Sequence, residues 1–292
     1  MVNVGLSGPF QNYLQNPLPP GSTTGAPLNG NAGTAGALNQ GQTAATGLQN
    51  MFQFLAYLTP ILGGIIADVK WGRYKTLSVF CVVYFVGLLI IFLTSLPTAL
   101  THGSGLPGWC VGAVIVAFGT GGIKSTVAPL IADQYRAIRM FIKTLPSGER
   151  VIVDPDVTIS RIYNLFYWCV NVGSLSSIAA TELEHNVGFW AAFLLPTVVF
   201  LGTPLVLISA RRTYYKVPPR GSVLLETYRV TRIALRGLWT HPFQYIRESR
   251  KTGLWARAKP SFVLGDAHAK DKKEIVNKNR WLTWGDEHSL SC

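Results

Sequence analysis

Lys124 is the residue whose position most demands a chemical reason. It lies in the string AFGTGGIKSTVAPLIAD, nine residues before Asp133, inside a run that is otherwise uncharged. At 1.5 Å per helical residue this is roughly 14 Å from the end of the run, close to the middle of a bilayer. A lysine there costs about 2.5–3.5 kcal/mol on insertion scales, so it is expected to face a cavity or a carboxylate. The alternative is a side chain that snorkels to the interface, which the depth disfavours. Tyr57, eleven residues before Asp68, and Asn171, nine residues after Ile162, fall at nearly the same level on two other predicted helices. Tyr57 shares a helix face with Gln53 and Gln49 at four-residue spacing.

Three polar groups from three helices at one depth match the midplane placement of substrate and coupling-ion sites in secondary transporters. Taken singly, Tyr57 and Asn171 could equally be interhelical hydrogen-bonding groups that hold a bundle together. Other chemistries find little support. GTGGIKST looks superficially like a phosphate loop, but Ile123 rather than Gly precedes the lysine, and the string lies within an apolar span. Cys81, Cys110 and Cys169 lie in apolar stretches and Cys292 is terminal, with no metal or disulfide spacing. No His/Asp/Glu cluster appears at span depth, so neither an enzyme nor a metal site is expected. Gly119, Gly121 and Gly122 have two readings, close helix packing or a bendable segment.

The elements that must position these groups follow from where charge is missing. The chain is 48% hydrophobic and 14% charged, against about 25% charged for a soluble domain. Residues 1–67, 76–123, 162–181 and 186–210 contain no Asp, Glu, Lys or Arg. Uncharged apolar stretches of about 18 residues or more read as membrane-spanning helices, whose backbone polar groups are satisfied internally. Spans are predicted at about 48–68, 76–101, 109–132, 162–181 and 187–210, after an end of a first helix at 1–16 and a Pro/Gly-rich loop at 17–47. Pro97 and GSGLPG at 103–108 divide the long apolar stretch. The expected fold class is thus an all-α membrane protein, a 48–210 bundle with five complete transmembrane helices and a remnant of the first.

Basic and non-basic loops alternate. Lys70, Arg73 and Lys75, then Arg136, Arg139, Lys143, Arg150 and Arg161, then Arg211, Arg212 and Lys216 mark the cytosolic side. The loops at 17–47, 102–108 and 182–186 are then extracellular. Residues 211–292 hold 17 Lys/Arg and 7 Asp/Glu of a chain with net charge +12. Because this basic tail follows a span, anionic membrane lipid is the expected partner rather than nucleic acid. Within it, 222–240 is predicted as an amphipathic helix and 241–292 as loosely ordered. No signal peptide is visible at the N-terminus.

GGIIADVKWGRYKT, residues 63–76, resembles the signature between the second and third helices of the major facilitator superfamily. Gly72 would permit the tight turn, and Asp68 with Arg73 would form a gate charge pair. YLTPILGGIIAD, FYWCVNVGSLSSIAATELEHNVGFWAAFLLP at 166–196 and FQNYLQNP sharpen this to the proton-dependent oligopeptide transporter family, fungal branch, over nearly the whole chain. The resemblance implies proton-coupled symport of di- and tripeptides by alternating access, at a plasma membrane, with the proton as coupling ion and no other cofactor. It implies that Lys124 matches the fourth-helix lysine of proton coupling, Tyr57 a pocket tyrosine and Asn171 an asparagine that binds the peptide backbone. It also carries departures. The family's Glu-x-x-Glu-Arg is expected just before GLSGPF, where this chain begins MVNVGLSG. The histidine of animal members, seven residues before the pocket tyrosine, is Asn50 here. The chain is therefore expected to be a truncated N-terminal half that does not transport by itself. Transport of another small solute, or a non-transporting regulatory role, is the alternative, and the oligomeric state is left open.

Overall fold

The computed structural model describes residues 2–27, 33–135, 140–144, 146, 148–219, 221, 227–228 and 231–232, with side chains from Gly8 onward and that of Lys143 excepted. The chain divides into two compact units, Met1–Arg220 and Gly221–Cys292. In the second, residues 227–228 and 231–232 are helical; the rest of the predicted amphipathic helix at 222–240, and 241–292, lie outside the described residues.

The first unit is mostly helical. In chain order its elements are α1 (Val2–Gln15), α2 (Gly41–Ile66) with a π-helical turn at Ala67–Trp71, α3 (Arg73–Thr94), the short α4 (Pro97–Thr101) and α5 (Gly105–Asp133). A hairpin of β1 (Phe141–Thr144) and β2 (Arg150–Val153) follows, then α6 (Pro155–Ser174), α7 (Ser176–Asn186) and α8 (Phe189–Ser209). Among the described residues, four helices are long and apolar enough to cross a membrane: Gly41–Trp71, Arg73–Thr94, Gly105–Asp133 and Phe189–Arg212.

Two expectations are corrected. The fifth complete span, at 162–181, is not one apolar helix but α6 and α7, separated at Leu175. The break falls in VGSLSS, where Gly and Ser weaken the helix and the Ser174 hydroxyl donates to the Val170 carbonyl within its own turn. Nor is the chain all-α: β1 and β2 pair antiparallel, Ile142 opposite Ile152. The β-branched Ile142, Thr144, Val151, Ile152 and Val153 flank a Pro146/Gly148 turn, which is hairpin chemistry within a segment expected only to be a loop.

Packing is tightest where glycine removes the side chain. A Cβ on Gly63 of α2 would lie 2.7 Å from Cα of Gly122 on α5, and one on Gly119 would lie 2.7 Å from Cα of Tyr84 on α3. The α5 glycines thus serve close packing against two helices at once. At the other packing extreme, an aromatic cluster gathers residues distant in sequence. Phe10 of α1 meets Phe52, Trp109 and Phe193 edge-to-face, with centroids 5.6, 5.1 and 5.7 Å apart. Tyr13 meets Phe189 and Phe193 in the same way. The segment between α1 and α2 is tied down beside this cluster. Leu38 and Gln40 N–H donate to the carbonyls of Tyr13 and Leu14, and Phe189 N–H, at the start of α8, donates to Thr24 O.

Candidate functional site

The α2–α5 crossing fixes the height of the candidate site. Thr59 of α2 is buried, and its hydroxyl oxygen lies 2.9 Å from the carbonyls of both Leu55 and Ala117, so its one proton serves either helix. Beside it, Gly121 faces Thr59 and Gly122 faces Gly63. Tyr57 and Lys124 flank this contact, two residues from Thr59 and Gly122 respectively. The Lys124 ammonium lies 4.7 Å from the centroid of the Tyr57 ring. A cation over an aromatic face at that distance is attracted by the ring quadrupole, more strongly where water is scarce. The ring is otherwise open, with 66% of Tyr57 exposed. Among the described residues no carboxylate forms an ion pair with Lys124.

Asn171 is the third predicted site residue. It is exposed on α6, and its side-chain amide donates 3.0 Å to the Tyr167 carbonyl one turn back on the same helix. The structure therefore brings Tyr57 and Lys124 together, while the hydrogen bond of Asn171 stays local and leaves its amide oxygen free to accept.

The gate motif holds an unexpected partner. Gly72 adopts φ 77°, ψ 158°, a backbone conformation that favours glycine, and its N–H closes the π turn on Ala67 O at 2.9 Å. Arg73 then starts α3. Its Nε is 3.9 Å from Asp68 Oδ1, whereas Nη1 lies 2.7 and 2.8 Å from the two oxygens of Asp133 at the end of α5. The expected Asp68–Arg73 pair exists but is long, and the short, charge-assisted contact goes to Asp133. In the sequence Asp133 marks only the end of an apolar run. Nothing in a single sequence chooses between it and Asp68 as the partner of Arg73, because the choice depends on how α3 and α5 cross.

A second buried polar contact was missed as well. Glu184, on α7, is 2% exposed and its Oε1 accepts from the Asn12 side-chain amide of α1 at 2.7 Å. Its only sequence signal was that Glu182 and Glu184 alone charge their loop. Among the described residues no three His, Cys, Asp or Glu side chains group as a metal site.

Residues 74–289 match a family model described as PTR2: POT family. Peptide transporter PTR_A of Candidozyma auris is 45% identical over 80% of this chain and 37% of its own length. MFS-type transporter ucsM of Acremonium sp is 38% identical over 79% of this chain and 39% of its own. Among solved structures, an auto-inhibited POT family peptide transporter superposes with TM-score 0.60 at 22% identity, covering 90% of this chain and 47% of that one. The chain belongs to the POT family, a family of transporters rather than enzymes, and is an integral membrane protein. It spans less than half the length of these curated relatives.

Proposed function

We propose that this chain supplies the N-terminal helices of a proton-coupled symporter for di- and tripeptides, working by alternating access. The observation that carries this is the Lys124–Tyr57 pair at the α2–α5 crossing, in a chain whose relatives include a peptide transporter. A peptide zwitterion needs separated charges in its pocket. Lys124 would hold the carboxylate end, Tyr57 would wall the pocket, and the free amide oxygen of Asn171 would accept from the peptide backbone. A lysine held against an aromatic ring can exchange that partner for a substrate carboxylate as the cycle proceeds. Asp68, Gly72 and Arg73, with Asp133, would lock the cytosolic ends of α2, α3 and α5 in one gate state.

On this reading residues 162–181, on α6 and the start of α7, form the fifth span, broken at Leu175. Residues 17–47, 102–108 and 182–186 lie outside, 133–161 and 211–292 lie inside, and the host membrane is the plasma membrane. Anionic inner-leaflet lipid would meet the basic 211–292 tail. The test is dipeptide uptake in cells lacking their own peptide carriers, with this chain expressed alone and completed with the segments its relatives carry. Acid-stimulated uptake by the completed protein, lost in Lys124→Gln, is expected; uptake indifferent to both pH and Lys124 would refute the assignment. Labelling of a cysteine placed at position 145 from outside intact cells would refute the topology.

A second reading has one specific support. The ucsM relative is named a transporter without a peptide in its name, so the solute could be another small zwitterion or anion. Competition of labelled dipeptide uptake by single amino acids and small organic acids separates the two.

A further inference from the structure

Glu184 stands apart from the proposed peptide site. It follows the predicted span at 162–181, in the segment assigned to the outer face, yet it is among the most deeply buried side chains of the chain. Its surroundings are those of a seam between α1 and α7. On α7, Ser177, Thr181 and Glu184 recur at helical spacing. On α1, Gly8 and Asn12 face them: a Cβ on Gly8 would lie 3.2 Å from Ser177 Oγ and 3.7 Å from Thr181 Oγ1, and Asn12 donates to Glu184 Oε1. The other carboxyl oxygen, Oε2, is buried with no hydrogen-bond partner.

An ionised carboxylate presents about four acceptor sites and needs several donors or a cation when it leaves water. This one has a single neutral amide. Among the described residues no cation pairs with it. Tyr13 is the titratable side chain of α1, and its hydroxyl is aimed 3.5 Å at the Thr94 carbonyl on α3. α8 carries no titratable side chain at all, and neither does the 17–40 segment. On α6, Asp156 and Arg161 sit at the opposite end, in and just after its first turn, and the remaining titratable side chains are Tyr163, Tyr167 and Cys169. On α7 itself, Glu182 would repel a second negative charge, and His185 is the adjacent residue, outside the Ser177–Thr181–Glu184 stripe.

We propose that Glu184 is a proton-binding site at the outer end of the bundle, a carboxyl that is neutral while α1 is seated on α7 and releases its proton when this seam opens to water. The ligand is the proton itself, and the proposal does not depend on which solute the protein carries. Burial pushes the carboxyl up to about 7, the Asn12 hydrogen bond opposing this. The folded seam then holds a proton that the unfolded chain gives up in the ordinary carboxylate range. Stability contributed at acid pH is therefore lost progressively as pH rises towards 7, and the loss levels off above it.

Infrared titration of the purified chain in lipid nanodiscs between pH 5 and 9 tests this. The expected result is a protonated-carboxyl stretch that disappears with a midpoint near 7 and is missing in Glu184→Gln. In Asn12→Leu, which removes the donor that favours the charged form, the midpoint should move upward. That variant leaves the carboxyl in place and keeps the question decidable should E184Q fail to fold. A Glu184 midpoint in the ordinary carboxylate range, no E184Q-sensitive band, or an unchanged midpoint in N12L would each overturn the proposal.

Discussion

The two ends of the helical unit manage charge in opposite ways. At the end assigned to the cytosol, Arg73 faces two carboxylates, Asp133 at 2.7 Å and Asp68 at 3.9 Å, with 34% of the arginine side chain still exposed. Nearby, Lys216 lies 4.9 Å over the Tyr74 ring, whose hydroxyl donates to Leu207 O at 2.6 Å. Charges there are paired, partly hydrated and able to separate. At the other end the helices are joined by the Phe10, Tyr13, Phe52, Trp109, Phe189 and Phe193 rings, and Glu184, the one buried acid among the described residues, has an amide for company. One end is closed by contacts that water and salt can weaken, the other by contacts that exclude water. Under the proposed function, a gate that opens and closes suits the first kind of chemistry.

The sharpest way to break this contrast is at the aromatic end. Trp109 is fully buried, and Trp109→Ala is expected to cost about 3 kcal/mol through the cavity it leaves among protein rings. Denaturant unfolding of the purified chain measures this, and the loss should not depend on salt. At the charged end, Asp133→Asn removes the short partner of a part-exposed pair and should cost about 1 kcal/mol. That loss should shrink in 1 M salt, where the Debye length falls to about 3 Å. Between the two ends, Tyr57→Leu should cost about 0.5–1 kcal/mol by removing the ring under Lys124, while Tyr57→Phe keeps most of it. Asp68→Asn should have the smallest effect, about 0.3 kcal/mol or less, because its contact with Arg73 is long and exposed. An Asp68 effect exceeding that of Asp133 would show that the gate pair is organised as the motif alone suggests, with α5 a bystander.

How far the sequence reaches can be argued from particular residues. Uncharged runs placed four span-length helices because lipid leaves a spanning backbone few options, so composition alone decides the state of those segments. A shared depth for Lys124 and Tyr57 is expected from counting residues to Asp133 and Asp68, and the structure brings the two side chains together. The same counting put Asn171 at that level but said nothing of its rotation about α6, where its amide turns to Tyr167 O. The α6–α7 break was missed because the absence of charge over 162–181 masked the Gly/Ser weakness at its centre. The basic residues of 133–161 carry no sign of the β hairpin, whose signal lies in the β-branched residues flanking Pro146 and Gly148.

The sequence by itself determined what each segment could be: apolar runs that must be helical in lipid, a basic-loop alternation from which an orientation is proposed, and a glycine at position 72 that can take positive φ. Only the tertiary structure decided which groups meet. That Arg73 takes Asp133 over Asp68, that Gly63 lies against Gly122, and that Asn12 reaches Glu184 across 172 residues depend on crossing angles and rotations of whole helices. Those are set by the sum of many side-chain contacts at once, and local propensity carries no information about them.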